Sequence, residues 1–96
     1  MVITLCGSTR FKEEFEKVNR DLTLAGDIIL APGAFGHAGD TFTAEQKNML
    51  DALHKKKIDM SNAIFVINKD GYIGDSTRSE IEYAKKTGKL VIYLED

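Results

Sequence analysis

The sequence predicts an α/β fold, a four-stranded parallel sheet with helices on its faces, and three observations predict it. Short apolar, β-branched runs alternate with segments whose apolar residues recur at helical spacing. Glycine, proline or a capping signal marks each changeover. The strand-helix alternation occurs three times before a closing strand, and consecutive units of that kind pair their strands in parallel.

Val2 to Cys6 is apolar and ends at Gly7-Ser8, which reads as a buried first strand. Phe11, Phe15, Val18, Leu22 and Ala25 then recur at helical spacing with charged residues between them, and Gly26 stands where the helix stops. Ile28 to Ala31 is a second strand, broken by Pro32-Gly33. From Pro32 to Asp40 the chain holds Gly33, Gly36 and Gly39 among small residues and reads as a loop. Thr43-Ala44-Glu45-Gln46 has the form of a capping box. It opens a second helix with Leu50, Leu53 and Ile58 expected on the inner face. The Lys55-Lys56-Lys57 run near its end suits the negative end of the helix dipole on a solvated face. Ala63 to Ile67 is a third strand, and Lys69 to Ser76 a polar loop. Thr77 to Thr87 makes a third helix stopped by Gly88, and Leu90 to Leu94 makes the fourth strand.

Right-handed crossovers leave few topologies for this order. The expected one is a flavodoxin-like (Rossmann-like) three-layer sandwich with strand order 2-1-3-4. Ligands of such sheets sit beyond the carboxyl ends of the strands, at the switch point between strands 1 and 3. The segments Gly7 to Arg10, Pro32 to Asp40 and Lys69 to Thr77 should meet there.

Composition narrows the class. A chain of 96 residues builds one small domain, since two cores would each be too small to fold alone. It is 43% apolar and 29% charged, which is ordinary globular composition. Thirteen basic against fifteen acidic residues leave a net charge of -2, which disfavours a nucleic-acid partner. The apolar runs are too short to span a bilayer. The strand-like run starting beside Met1 leaves no place for a signal peptide, so a cytoplasmic location is expected. Cys6 is the only cysteine and has no disulfide partner within the chain. No Cys/His spacing points to structural zinc, and neither a metal nor another cofactor is expected.

Two segments carry residues suited to chemistry. Cys6-Gly7-Ser8-Thr9-Arg10 follows the first strand. Gly7 permits close backbone approach, the following helix offers unpaired N–H groups, and Ser8, Thr9 and Arg10 add donors matched to phosphate oxygens. The same residues also read as structure, with Ser8 capping the helix and Arg10 paired to Glu13 or Glu14. The second segment is Gly74-Asp75-Ser76-Thr77-Arg78-Ser79-Glu80-Ile81. A carboxylate near a helix start, facing the carboxyl edge of the sheet, is placed to act as nucleophile or base. Thr77 and Glu80 equally have the spacing of a capping box. Cys6 reads as a small buried strand residue without an evident base. His37 reads as a loop residue over the pocket, either exposed or touching ligand. Tyr72 either stacks on a base or packs half-buried. His54, placed on the charged side of the second helix, carries no signal.

Taken in order, Cys6 to Arg10, then Ser61-Asn62-Ala63 to Ile67, then Ser76 to Ala84 with Lys89 to Ile92, resemble the nucleoside 2-deoxyribosyltransferase superfamily. The similarity covers most of the chain. It is nearest the small branch of 2′-deoxynucleoside 5′-phosphate N-hydrolases. The resemblance implies that Glu80 is the nucleophile attacking the anomeric carbon, by the logic of retaining glycosidases. It implies a 5′-phosphate held by Gly7, Ser8 and Arg10, with Ser76 or Thr77 helping. The sequence also departs from the family. Asn62 stands where the family has an acidic residue near the leaving base, so Asp59, one helical turn earlier, or Asp75 takes that task. Gly74 falls where transferases carry an aspartate. Arg78 and Ser79 replace small residues, and Arg78 either holds a second anion or neutralises Glu80.

The expected function is hydrolysis, less readily transfer, of the N-glycosidic bond of a nucleoside 5′-phosphate or related nucleotide, with a small-molecule nucleotide or nucleoside as partner. The alternative is a non-catalytic nucleotide-binding module. Four strands and three helices consume nearly the whole chain and leave no lid. The Pro32 to Asp40 loop or a second subunit must then supply the missing wall, and a homo-oligomer is expected.

Overall fold

The computed structural model describes residues 1–32 and 42–95. It shows a four-stranded parallel sheet in the order β2-β1-β3-β4, a flavodoxin-like three-layer sandwich. The strands are β1 (Val2–Gly7), β2 (Ile28–Leu30), β3 (Ala63–Ile67) and β4 (Leu90–Tyr93). The helices are α1 (Lys12–Leu24), α2 (Ala44–Asp59) and α3 (Asp75–Lys86). A short 3₁₀ turn, Thr9–Phe11, joins β1 to α1, and another, Lys69–Gly71, comes after β3. Among the described residues no helix is long and apolar enough to cross a membrane.

Alternation along the strands feeds two cores. Ile3 and Leu5 of β1 point to one face, where Phe15 and Val18 of α1 cover them with Ala63 and Ile67. Cys6 points to the other face and packs with Ile58 of α2, Ile64 and Val66 of β3, and Ile81 and Ala84 of α3. Thr4, on that second face, is fully buried because its hydroxyl has partners. It donates to the Lys57 carbonyl at 3.1 Å and meets the Ser61 hydroxyl. One helix thus covers one face and two cover the other. On the α1 side, Leu90, Ile92 and Leu94 remain exposed along the β4 edge.

The predicted elements recur, with two adjustments within the helices. The capping box at Thr43 forms, its hydroxyl accepting from Gln46 N while Gln46 accepts from Thr43 N, both at 3.0 Å. The inner stripe of α2, however, runs Leu50, His54, Ile58 at four-residue spacing, and Leu53 is 43% exposed. The correction follows from helix rotation: Leu53 lies about 100° from His54, off the buried stripe. Helix α3 begins at Asp75 rather than Thr77, with Gly74 as its N-cap, so the Thr77–Glu80 capping box does not form. The earlier start buries Thr77, Ile81 and Ala84 along one stripe. The Pro32 to Asp40 loop lies outside the described residues beyond Pro32, and His37 with it.

Candidate functional site

Three elements converge at the carboxyl edge of the sheet, between β1 and β3. Gly7 makes the approach possible. Its φ is 156°, and a Cβ there would stand 2.9 Å from both Cβ and the carbonyl oxygen of Ile67. Beyond it opens a cleft of about 490 Å³, lined by Gly7, Ser8 and Thr9 from β1 and the adjoining turn. Lys47, Asp51, His54 and Lys57 line it from α2. Gly74, Asp75, Ser76, Thr77 and Glu80 line it from the start of α3, and Tyr72 closes one side.

Glu80 lies deep in this cleft, its side chain 12% exposed. It comes from the same helix face as Thr77, three residues earlier, so the buried stripe that seats α3 carries the carboxyl inward. His54 reaches the same point from α2, because it occupies the middle of an otherwise apolar stripe. Its Nε2 lies 3.4 Å from Cys6 Sγ and 3.7 Å from Glu80 Oε1. Cys6 stands behind both, fully buried.

Burial sets the protonation of this trio. It raises Glu80 from 4.5 to about 7, with Asp51 adding to the rise and Cys6 and Lys55 opposing it. Burial lowers His54 from 6.5 to about 4, reinforced by Lys57 and opposed by Asp51 and a hydrogen bond to the Leu5 backbone. The Cys6 thiol is pushed well above its usual range, first by burial and then by the charge and hydrogen bond of Glu80. His54 is therefore a neutral imidazole near neutrality, and its 3.7 Å approach to Glu80 is not an ion pair there. Above pH 7 Glu80 is a carboxylate accepting from the Cys6 thiol.

The phosphate-type segment takes a different form from the expected helix cap. Ser8 caps the 3₁₀ turn, accepting from Arg10 N, while Arg10 Nε donates to Ser8 Oγ at 3.2 Å. Arg10 does not pair with Glu13 or Glu14, and Glu14 instead bridges to Lys69 at 3.2 Å. The guanidinium lies over the Tyr72 ring, 3.9 Å from its centroid. Because Ser8 and Tyr72 both line the cleft, Arg10 stands at its rim. At the opposite wall the first turn of α3, whose N–H groups have no side-chain cap, brings Ser76 and Thr77 to the cleft.

Two expected members stand elsewhere. Asn62 lies at the amino edge of the sheet. There its Oδ1 accepts from Val2 N and its backbone N donates to the Val2 carbonyl, both at 2.8 Å. Asp59 ends α2 at that same edge and accepts from the Tyr83 hydroxyl at 2.6 Å. Neither borders the cleft, since a strand's two ends open on opposite edges of a parallel sheet. Arg78 is exposed and does not line the cleft either. It sits two residues before Glu80, which on a helix is nearly the opposite side, so it does not neutralise that carboxyl.

The fold and the cleft together define an α/β sandwich with a ligand-sized pocket at the switch point of its sheet. Comparison with protein-family models, with curated proteins and with solved structures finds no match. The function is therefore argued from the site.

Proposed function

We propose that the protein cleaves the N-glycosidic bond of a nucleoside 5′-phosphate or related nucleotide, with Glu80 as nucleophile. The observation that carries this reading is a buried carboxyl in a cleft whose walls also offer hydroxyls, two lysines and a rim guanidinium. Ser8, Arg10 and the Ser76-Thr77 turn hold the phosphate, and Tyr72 flanks the base. A Glu80 oxygen bonds to C1′ as the C1′–N bond breaks, and the electron pair leaves with the base. Asp75, on the cleft wall, assists the proton to the departing nitrogen; Asp59 is too distant to do so. Water then attacks C1′, releasing the sugar phosphate and restoring the carboxylate. The Cys6 thiol steadies that carboxylate between turnovers.

The test is release of free base from a panel of nucleoside and deoxynucleoside 5′-monophosphates, followed chromatographically. Turnover that falls at least 10³-fold in Glu80→Gln, with nucleotide binding retained, supports the reading. No base released from any substrate overturns it.

A second reading is a non-catalytic nucleotide-binding module. It is favoured by the raised pKa of Glu80, which leaves half of the carboxyls protonated near pH 7. A nucleotide-induced rise in melting temperature without base release selects this reading. The chain further reads as a homo-oligomer. Leu90, Ile92 and Leu94 expose an apolar strip on β4. The adjoining groove carries both charge signs, in Glu14, Lys17 and Asp21, which suits a self-complementary contact between two copies.

A further inference from the structure

We propose that Cys6 Sγ, His54 Nε2 and a Glu80 carboxylate oxygen form a three-ligand site for a zinc-class divalent cation, open on its fourth side to the cleft. The sequence points away from such a site, because positions 6, 54 and 80 form no ligand spacing. The fold brings the three ligand atoms within 4.8 Å of one another.

Two of the three separations fit one tetrahedral ion closely. Zinc binds sulfur at about 2.3 Å and imidazole nitrogen at about 2.0–2.1 Å, which places those two atoms about 3.6 Å apart. The observed distance is 3.4 Å. Nitrogen and carboxylate oxygen on the same ion stand about 3.4 Å apart, against 3.7 Å here. Movements of a few tenths of an ångström satisfy those two separations, and Cys6 Sγ and the Glu80 oxygen, which lie within 4.8 Å of each other, close to about 3.6 Å as the ion binds.

The imidazole is also set for ligation. The Leu5 backbone bond favours the protonated ring, so it is a bond to the carbonyl. With Nε2 turned toward Cys6 and Glu80, Nδ1 is the donor, which leaves the Nε2 lone pair facing the ion. Metal-binding histidines are commonly oriented by such a second bond. Thiolate, imidazole and carboxylate together favour zinc over magnesium or calcium. Asp51 adds negative charge to the cleft, while Lys55 and Lys57 oppose it. His54 and Glu80 line the cleft and give the ion its route in. Among the described residues no fourth acidic, histidine or cysteine ligand joins the group, so water or a bound ligand completes the shell.

Binding requires the thiolate, and the thiol proton passes to solvent as the ion enters. The site is independent of the glycosidase reading, but one consequence rests on it. An ion held by Glu80 occupies the lone pairs that would attack C1′, so zinc inhibits base release more than tenfold and a chelator restores it.

The experiment titrates the reduced, chelator-stripped protein with cobalt(II) alone and then zinc. One cobalt per chain, a near-ultraviolet thiolate-to-cobalt charge-transfer band and its loss on adding one equivalent of zinc are expected. Cys6→Ser abolishes the band and weakens zinc at least tenfold, measured by competition with a chromogenic chelator. Glu80→Gln keeps the band and weakens zinc by a similar factor. A wild-type protein with no band and no competition for zinc overturns the proposal. So does a folded Cys6→Ser with wild-type zinc affinity, and Glu80→Gln decides the matter if Cys6→Ser does not fold. Failure of base release would strike only the glycosidase reading, and failure of the cobalt band only the ion site.

Discussion

Replacing Glu80 by glutamine isolates one buried ionisation and turns it into a pH dependence of stability. The carboxyl is raised from 4.5 to about 7 in the folded protein, chiefly by burial. The native state then holds its proton more tightly than the unfolded chain. The resulting stability is fully present below pH 4.5 and is lost as the pH rises through about 7, after which it changes no further. That interval corresponds to about 3 kcal/mol. The side chain is only 12% exposed, so solvent screening takes little from it. His54 works in the opposite sense. Lowered from 6.5 to about 4, it contributes stability that is present above 6.5 and lost as the pH falls through about 4.

In the wild type the two slopes cancel across their shared interval. Folded and unfolded chains each keep one proton on this pair there, whichever atom holds it. Glu80→Gln removes one slope and exposes the other. The assay is urea denaturation of both proteins at about pH 4, 6 and 8, comparing their unfolding free energies at each. Groups common to both proteins drop out of the difference. The wild type should lose about 3 kcal/mol relative to Glu80→Gln between the lowest and highest pH. A difference that stays constant with pH refutes the buried carboxyl and, with it, the cleft geometry argued from it.

Other consequences are separately measurable. The same ionisation makes kcat/KM for base release rise with pH and level off above about 7, because only the carboxylate attacks; a profile falling over that range contradicts Glu80 as nucleophile. Gly7→Ala should cost about 2 kcal/mol or more in chemical denaturation, since its Cβ meets Ile67 at 2.9 Å and its φ is 156°. Gly74→Ala meets only the tip of the Tyr72 ring, its hydroxyl nearest at 3.3 Å, and should cost less than about 1 kcal/mol. Asn62→Ala loses the Val2 bond, about 1 kcal/mol, while base release by it and by Asp59→Asn stays within about twofold of wild type. Ile92→Lys, on the exposed β4 strip, should reduce the sedimentation coefficient of an oligomer to that of the monomer.

Much of the fold was legible because each element carries its own periodicity and stop signal. Ala63–Ile67 is a fully apolar run that only a covered central strand can bury, and it is found between β1 and β4 with the predicted limits. The Thr43 box marks the start of α2 by a reciprocal pair of bonds that residue types alone specify. Element ends were less legible where two residues compete for a cap. At α3 the spacing of Thr77 and Glu80 satisfies the capping pattern, but burying Thr77 one turn inside the helix packs it against the core. Burial outweighs the cap, and local sequence holds no record of that contest.

The site was legible in part, and the missing part has one physical cause. Ser8 and Thr9 directly follow β1, and Ser76, Thr77 and Glu80 lie in the first two turns of the helix after β3, at the edge where parallel sheets place their clefts, so position marked them. His54 gave no such sign because it lies well inside a helix, 48 residues from Cys6. Its clue was its spacing, four residues from Leu50 and four from Ile58, a polar ring in a stripe that otherwise faces the core. A histidine there must be either neutral and hydrogen-bonded or bound to something, because a buried charge without a partner is too costly. Asn62 and Asp59 misled for the converse reason. They stand close in sequence to β3 but precede it, and a parallel strand holds the residues before it and the residues after it apart by its whole length. On an α/β sheet, the side of the strand on which a residue falls decides whether it can reach the ligand, and adjacency to a motif does not.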